Sequence, residues 1–450
     1  MPLPHFSRHA KQTVSRAAPP HFAAWRLATI GLFILGTVGC VRYTARPIDP
    51  SSRAHALLGR RLADRTWTLE ALTDQALANS ADLRVARAQY RTARAAMKTA
   101  GERPNPTVAL SPQVVTPYTN WIAGTYGIDF DWTFETAGKR ARRLDVARDQ
   151  ARAAAARIVD ATWKVRAAVR KAMLECYAAE RKLALIEEAT KKQAEIVSLT
   201  VGRVKAGAAS AMETAQPRLL AAQLRLQGSE ANRTLGIARA SLAEALSMST
   251  DGLAGAKFSY AAFDQVPARQ ASHRRSALTH RADVLAALAD YAAAESTLHL
   301  EIARQYPDIH LNPGYQLDAG ENKWALGLGL TLPILNQNKG PIAEAEAKRK
   351  EAAAKFDAVQ AKVLADCDRA AAAVAAARSK LATTEQMLSE QGQQIESFKR
   401  IVAAGEGDRI ALVSAEVETA TTRIARLDAL AELQAALGSL EEATQTPLGR

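Results

Sequence analysis

Thr125-Tyr-Gly-Ile-Asp-Phe-Asp-Trp-Thr-Phe134 alternates without a break. Tyr126, Ile128, Phe130 and Trp132 fall on one side of a two-residue period, and Thr125, Gly127, Asp129 and Asp131 fall on the other. The strand this predicts has one apolar face and one that is polar or bare. Gly327-Leu-Gly-Leu-Thr-Leu-Pro-Ile334 repeats the scheme, with Leu326, Leu328, Leu330 and Leu332 opposing Ala325, Gly327, Gly329 and Thr331. A weaker strand precedes each. Val108, Leu110 and Val114 oppose Thr107, Ala109, Ser111 and Gln113, and Ile309, Leu311, Tyr315 and Leu317 oppose His310, Asn312, Gly314 and Gln316. Pro106 answers to Pro307, and Lys205-Ala206-Gly207 to Ala403-Ala404-Gly405, so the chain is written twice. A duplication of this size predicts pseudo-symmetry, with neither half obliged to bury its apolar face alone.

Two amphipathic hairpins on a soluble core are one reading. Isolated hairpins are marginal in water, however, and no further strands are evident for them to pair with. Strands of about ten residues cross a membrane when tilted, with their apolar faces to lipid. A sheet in hydrocarbon has to close, because an open edge leaves backbone groups unsatisfied, and four strands cannot close alone. The chain is therefore expected to oligomerise. Two copies would give a filled eight-stranded barrel and three a twelve-stranded one with room for a channel, which the inward glycines and short polar residues suit. Tyr118, Trp121, Tyr126, Tyr315 and Trp324 at one end, with Trp132, Phe134 and Tyr306 at the other, fit aromatic girdles.

The rest reads as helix. Thr66 to Glu70 opens a short one, and another runs from Ala81 to about Glu102, where Pro104 and Pro106 stop it. No proline interrupts the pattern from Ala141 to Val204, a rod of about 95 Å at 1.5 Å per residue. Its apolar spacing of three and four includes an extra step of four at Ala168-Ala172-Cys176, which alters supercoiling locally. A matching run spans Ile342 to Val402, and return helices follow at Met212 to Leu246 and Ile410 to Glu442. Pro217 predicts a kink or a delayed start in the first of these. Ser249 to Pro267 is the one irregular linker.

About a fifth of the chain is alanine and 5% is aromatic, which favours close-packed helices. The net charge is +13, scattered as Arg and Lys among Ala, and reads as a solvated helical surface with no nucleic-acid partner. Arg8, Lys11, Arg16 and Arg26 precede the uncharged run Leu27 to Gly39, which has the form of an export signal and is too short to span a bilayer comfortably. Thr37-Val38-Gly39-Cys40 resembles the bacterial lipoprotein box, with Thr37 where an aliphatic residue is usual. It implies lipidation of Cys40, against ordinary cleavage nearby or an uncleaved anchor. Cys176 and Cys367 lie at different depths along their helices and read as buried hydrophobes. The organisation expected is a signal at 1–39, a linker at 40–66, a first repeat at 67–248 (strands about 106–134, helices about 141–246), a linker at 249–274 and a second repeat at 275–450 (strands about 307–334, helices about 342–442).

No nucleophile motif, phosphate loop or spaced metal cluster appears, so no enzyme, cofactor or resident metal is expected. His273, His280, His299 and His310 lack a partner at ligand spacing, and His310 is expected on the lumen side.

The pattern resembles the TolC-like outer-membrane efflux family over essentially all of residues 67–450. The matching pieces are Leu69-Glu70-Ala71-Leu72 with Ala81-Asp82-Leu83, Val204-Lys-Ala-Gly207 with Gln216 and Leu219-Leu220, Arg281-Ala-Asp283, Leu332-Pro333-Ile334, and Ala404-Gly405 with Ser414-Ala415-Glu416. Glu135-Thr-Ala-Gly-Lys-Arg140 resembles the CzcC-type heavy-metal branch, although the same residues could simply cap a helix at the membrane interface. The resemblance implies a mainly α fold with a β-barrel part: a homotrimer with a twelve-stranded barrel on an α-helical periplasmic tunnel. It implies a periplasmic adaptor and an inner-membrane resistance-nodulation-division pump as partners, and a place in the Gram-negative outer membrane. Members gate at the turns of the periplasmic end, here Arg203 to Ser210 around Gly207 and Val402 to Arg409 around Gly405. Many carry acids just past those turns; Glu213 holds such a place in the first copy, whereas Ala411 and Ser414 stand there in the second and leave Glu406 and Asp408 as substitutes. The alternative for all three acids is a helix start where carboxylates favour the dipole.

The leading expectation is an outer-membrane exit channel of a tripartite efflux system, for divalent metal cations or, alternatively, for drugs or aromatic compounds. The rival from another class is a periplasmic coiled-coil structural protein.

Overall fold

The computed structural model describes residues 41–113, 124–267, 274–318 and 320–447. The chain divides into two units, Met1–His55 and Ala56–Arg450. In the first, the described residues are exposed and run without regular structure until helix α1 (Pro50–Leu58) begins. Cys40 and its signal lie outside the described residues.

The second unit contains, in chain order, β1 (Thr66–Trp67), α2 (Leu69–Asn79), α3 (Ala81–Ala100), β2 (Thr107–Gln113), β3 (Thr125–Phe134), α4 (Lys139–Lys205), α5 (Ala215–Ala245), β4 (Lys257–Phe258), α6 (Ala261–Asp264), α7 (Arg274–His280), α8 (Ala282–Ala303), β5 (Ile309–Asp318), β6 (Glu321–Leu330), α9 (Lys339–Ala403) and α10 (Arg409–Thr444). Helix α4 has 67 residues and α9 has 65, so each is about 100 Å long. Helices of that length are held by neighbours rather than by propensity. In the upper wall α3 packs on α4, α4 on α8 and α8 on α9, and in the lower wall α5, α4, α10 and α9 follow one another in the same way.

The two hairpins join into one antiparallel sheet of order β2-β3-β5-β6. The seam between repeats is β3 to β5, with Ile128 opposite Tyr315 and Asp129 opposite Gly314. The register skips Phe130 and Asp131, where Pro313 offers no N–H to the ladder. β6 ends at Leu330, so Leu332, expected on the strand, lies past its end and is exposed. The physical cause is at hand: Leu330 pairs with Ile309, and two residues further the partner position is Pro307, which has no donor.

Pro217 delays a helix rather than kinking it. A 3₁₀ turn covers Ala211–Thr214, α5 starts at Ala215, and Pro217 sits in the first turn, where a missing N–H costs nothing.

The linker between repeats is packed, contrary to the irregular run expected. β4 pairs in parallel with β1, Trp67 opposite Phe258. This small second sheet was not legible as strand. Phe263 is completely buried against the middle of the long helices, in a cluster with Trp67, Val169, Tyr177, Leu433 and Leu437. Tyr177 donates to Asp264 at 2.7 Å, Tyr260 to Glu180 at 3.0 Å, and Gln434 Nε2 to the carbonyls of Phe263 and Gln265 at 3.0 and 2.8 Å. Burial, aided by the Asp264 carboxylate, pushes the Tyr177 hydroxyl up to about 12. Cys176 and Cys367 are free and buried in separate clusters, as their offset along the helices predicted.

A clasp fixes the sheet on the helices. The chain turns from β3 into α4 through Ala137 and Gly138, both in the left-handed region, and from β6 into α9 through Gln337 and Asn338 in the same conformation. Lys139 Nζ, nearly buried, reaches Asp308 and the carbonyl of Tyr306, each at 2.7 Å, while Asp308 also accepts from the Thr136 N–H at 2.9 Å. Partial burial works to raise the Asp308 pKa, but Lys139 and the Thr136 N–H outweigh it and hold the carboxyl below its usual value. Such a group contributes stability that is complete above its unfolded pKa and is lost only as pH falls through the lower folded value. Asp308→Asn is expected to leave the Lys139 ammonium without a counter-ion and to cost about 2 kcal/mol. Thermal unfolding in detergent checks it, and the deficit relative to wild type should shrink only below about pH 4.

Candidate functional site

Three regions carry the features expected to matter. The first is the sheet. On its apolar face Phe130, Trp132, Leu326 and Leu328 are 41, 53, 75 and 67% exposed, an extent that soluble monomers rarely present to water over a contiguous face. Tyr126 and Leu330 share that exposed face, and Ile128 is half-buried. Aromatic pairs stand at its two ends, Trp132 stacked on Phe134 at 5.3 Å and Tyr315 against Trp324 at 4.8 Å. Tyr118 and Trp121 lie outside the described residues.

The polar face is cross-linked by its own side chains. Ser111 donates to Asp129 at 3.2 Å, Thr125 and Lys323 reach Asp318 at 2.9 and 2.6 Å, and His310 Nδ1 lies 3.1 Å from Asp131 and 3.3 Å from the Thr133 hydroxyl. A side chain at Gly127 would strike the Ser111 hydroxyl, and one at Gly314 would come within 2.7 Å of the Asp129 carboxylate. These glycines keep the polar face shallow. Among the described residues no group of three His, Cys, Asp or Glu side chains could hold a metal ion, and no helix is long and apolar enough to cross a membrane.

The second region is the hexapeptide Glu135–Arg140; no side chain caps the start of α4 at Gly138, and the charged residues here join α4 to α3 instead. Arg143 forms a bidentate pair with Glu135 and donates to the carbonyls of Ala100 and Glu102, while Arg140 donates to the carbonyl of Gly101 at 2.6 Å. The start of α4 is thereby tied to the end of α3. In the second repeat Asn338 does the same work, bonding the carbonyl and carboxylate of Glu301 at 2.7 and 3.1 Å.

The third region is the pair of helix turns. Gly207 and Gly405 both take positive φ, 72° and 79°, which ends α4 and α9 in the left-handed conformation that glycine adopts without strain. Glu213 accepts the Ser210 N–H at 2.8 Å and completes a capping box. Asp408 caps α10 through the Ile410 N–H at 2.9 Å and also meets Arg203 at 3.4 Å. Glu213 and Asp408 are thus helix caps first, whereas the Glu406 side chain takes no hydrogen bond or ion pair among the described residues.

Sequence reasoning missed what links the two turns. Arg203–Asp408, Arg409–Glu195, Lys192–Glu416, Arg423–Glu188 and Lys182–Asp428 form a ladder along α4 and α10, with closest approaches of 2.6 to 3.4 Å. The partners are more than 200 residues apart, and nothing in either helix alone marks them.

The family comparison divides the chain at the same duplication that the fold shows. The model of the outer membrane efflux protein family fits residues 72–247 and again 274–445. The chain belongs to the outer membrane efflux protein family. Among curated proteins it is similar to the cobalt-zinc-cadmium resistance protein CzcC of Cupriavidus metallidurans, 25% identical over 210 residues, which are 46% of this chain and 50% of that protein. The match therefore spans about half the length of that relative. Among solved structures its fold is similar to VceC of Vibrio cholerae (TM-score 0.68, 21% identity, 84% of this chain and 95% of that one). It is equally similar to the open state of the MtrE channel of Neisseria gonorrhoeae (TM-score 0.68, 19% identity, 86% and 92%). The mainly helical fold with a barrel-forming sheet, expected from the sequence, is the fold of these outer-membrane channels.

Gly405→Ala is expected to strain the left-handed turn by about 1 kcal/mol. Amide exchange of the turn should accelerate by about fivefold while the sheet amides stay unchanged.

Proposed function

We propose that three copies of this chain form a passive exit duct through the outer membrane, to which a periplasmic adaptor and an inner-membrane resistance-nodulation-division pump deliver cargo. One observation carries the reading: four strands with an apolar face open to the outside and two unpaired edges, β2 and β6. In hydrocarbon each unpaired backbone group costs several kcal/mol, so the edges must meet those of other copies. Twelve strands leave the polar face around a channel. Tyr126, Ile128, Phe130, Trp132, Leu326, Leu328 and Leu330 then meet lipid, and Leu332 lies at the periplasmic rim.

The helical wall likewise ends in two edges. Its upper edges are α3 and α9, and away from their packed sides they expose small residues, Ala88, Ala95 and Thr99 on one and Ala347, Ala354 and Ala358 on the other. Backbones can approach closely along such faces. The turns at Gly207 and Gly405, with Glu213, Glu406 and Asp408, form the periplasmic end, where the adaptor docks and the aperture opens. A lipid on Cys40 adds a second hold on the membrane.

The cargo we favour is a divalent metal cation. The support is the likeness to a cobalt-zinc-cadmium resistance protein, together with carboxylates at both the turns and the polar strand face. Drugs or aromatic compounds are the alternative cargo.

Phe130→Asp or Leu328→Arg should cost about 2–4 kcal/mol near the bilayer midplane and abolish the heat-modifiable oligomer in outer-membrane fractions. A periplasmic rod would tolerate both changes, and a soluble monomer of the unchanged chain would sink the duct. Deleting the gene should lower tolerance to cobalt, zinc or cadmium; unchanged metal tolerance with raised drug sensitivity would move the cargo to the alternative. In planar bilayers Glu213→Gln with Asp408→Asn should weaken cation preference about twofold or more, and an unaltered reversal potential would remove these acids from the aperture.

A further inference from the structure

Helix α3 carries Arg84, Arg87, Arg91, Arg94 and Lys98, a three-four-three-four spacing that sets five cations in one line about 21 Å long. All five are exposed. Arg84 touches only the Ser80 carbonyl at 3.4 Å, Arg94 lies 6.0 Å over the Tyr90 ring, and none of the five has an acidic partner among the described residues. Asp82 is the one acid on the helix. Like charges at such spacing repel one another, so the line is held against a cost.

The duplication supplies the control. Ala81-Asp82-Leu83 at the start of α3 corresponds to Ala282-Asp283-Val284 at the start of α8. Carried along that alignment, the five cationic positions are Leu285, Leu288, Ala292, Glu295 and His299 in α8. The sister helix packs on α4 as α3 does, and on α9 besides, without a single Lys or Arg there. The fold therefore does not require the cations. Residues Asp82, Val85 and Gln89 face a groove shared with Arg157, Asp160 and Lys164 of α4. The cationic line centres about 170° round the helix from Asp82 and Gln89, on the opposite surface of the wall.

We propose that this line is the docking surface of an acidic helix from a partner protein, lying lengthwise along α3 on the outside of the assembled duct. The scattered positive charge, read from sequence as a solvated surface, is at this helix a one-sided array. Geometry selects the occupant. A membrane surface would meet α3 only at its Gly101 end, beside the barrel, and would leave Arg84 and Arg87 more than 20 Å away by about 1.5 Å per residue. A partner helix with carboxylates every third or fourth residue matches all five cations at once.

The proposal rests on the duct reading for which side is outer, and its test separates the two. The full-length protein, purified as the oligomer in neutral detergent, is titrated with a labelled helical peptide of about 20 residues bearing Glu at every third or fourth position. Binding by anisotropy should weaken about tenfold in R87Q/R91Q/R94Q/K98Q and to an intermediate degree in R87Q/R91Q, and should fade as salt is raised. Both variants should keep oligomer and conductance, so failure here leaves the duct standing. Equal binding by the variants, equal binding of a sequence-scrambled peptide, full displacement by phosphatidylglycerol vesicles, or block of the channel current by the peptide would each overturn the proposal, the last by placing the line inside.

Discussion

Backbone hydrogen bonding in hydrocarbon is the constraint on which everything else depends. A strand's N–H and C=O groups have no water to turn to at that depth, so a membrane sheet cannot keep an edge. This chain supplies four strands, enough for a wall segment and too few for a barrel. In the proposed duct, the apolar face that would be a defect in water is the surface that meets lipid. The proposed closure by other copies rests on the unpaired edges of β2 and β6, and α3 and α9 are the edges of the helical wall that continue them.

A barrel on a long tunnel also needs a stiff joint, because a small tilt at the sheet would be multiplied along helices of about 100 Å. The clasp meets that need with short-range contacts. Lys139 is held by Asp308 from the other repeat, and Arg140 and Arg143 are held by the end of α3. Further down, the linker wedges Phe263 between the helices of both repeats. At the far end the two turns are bound to each other by exposed ion pairs of the α4–α10 ladder, which are individually weak in water. Buried charge and hydrogen bonds at the sheet, a packed apolar waist and exposed ion pairs at the far turns hold one chain by three different kinds of contact.

The repeats share a skeleton and differ in chemistry. Ser80 caps α3 with its hydroxyl, while at the same place before α8 the nearly buried Arg281 binds Asp283 at 2.6 Å and the carbonyl of Ala443 at 3.0 Å. Gly138 and Asn338 make the same left-handed step, one bare and one with a side chain that ties back to Glu301. The cationic line on α3, with no Lys or Arg in α8, is a further such difference.

The sequence by itself determined the strands and the rods. Alternation at Thr125–Phe134 and at Ala325–Leu330 is local, and so is the helical spacing that carries α4 through 67 residues. Glycine and proline set most ends within a few residues for the same reason. What only the tertiary structure decided involves partners that lie far apart in the chain. Leu332 left the strand because Pro307, on another element, had no donor to offer it. Thr66–Trp67 became strand because Lys257–Phe258 came alongside, and the linker folded because Phe263 found a cavity among four helices. Glu213 and Asp408, read as an acidic ring or as caps, were resolved as caps in the single chain by bonds to their own turns. A pattern repeating every two or four residues is written in its neighbours; an ion pair or a buried ring is written in whatever the fold brings to it.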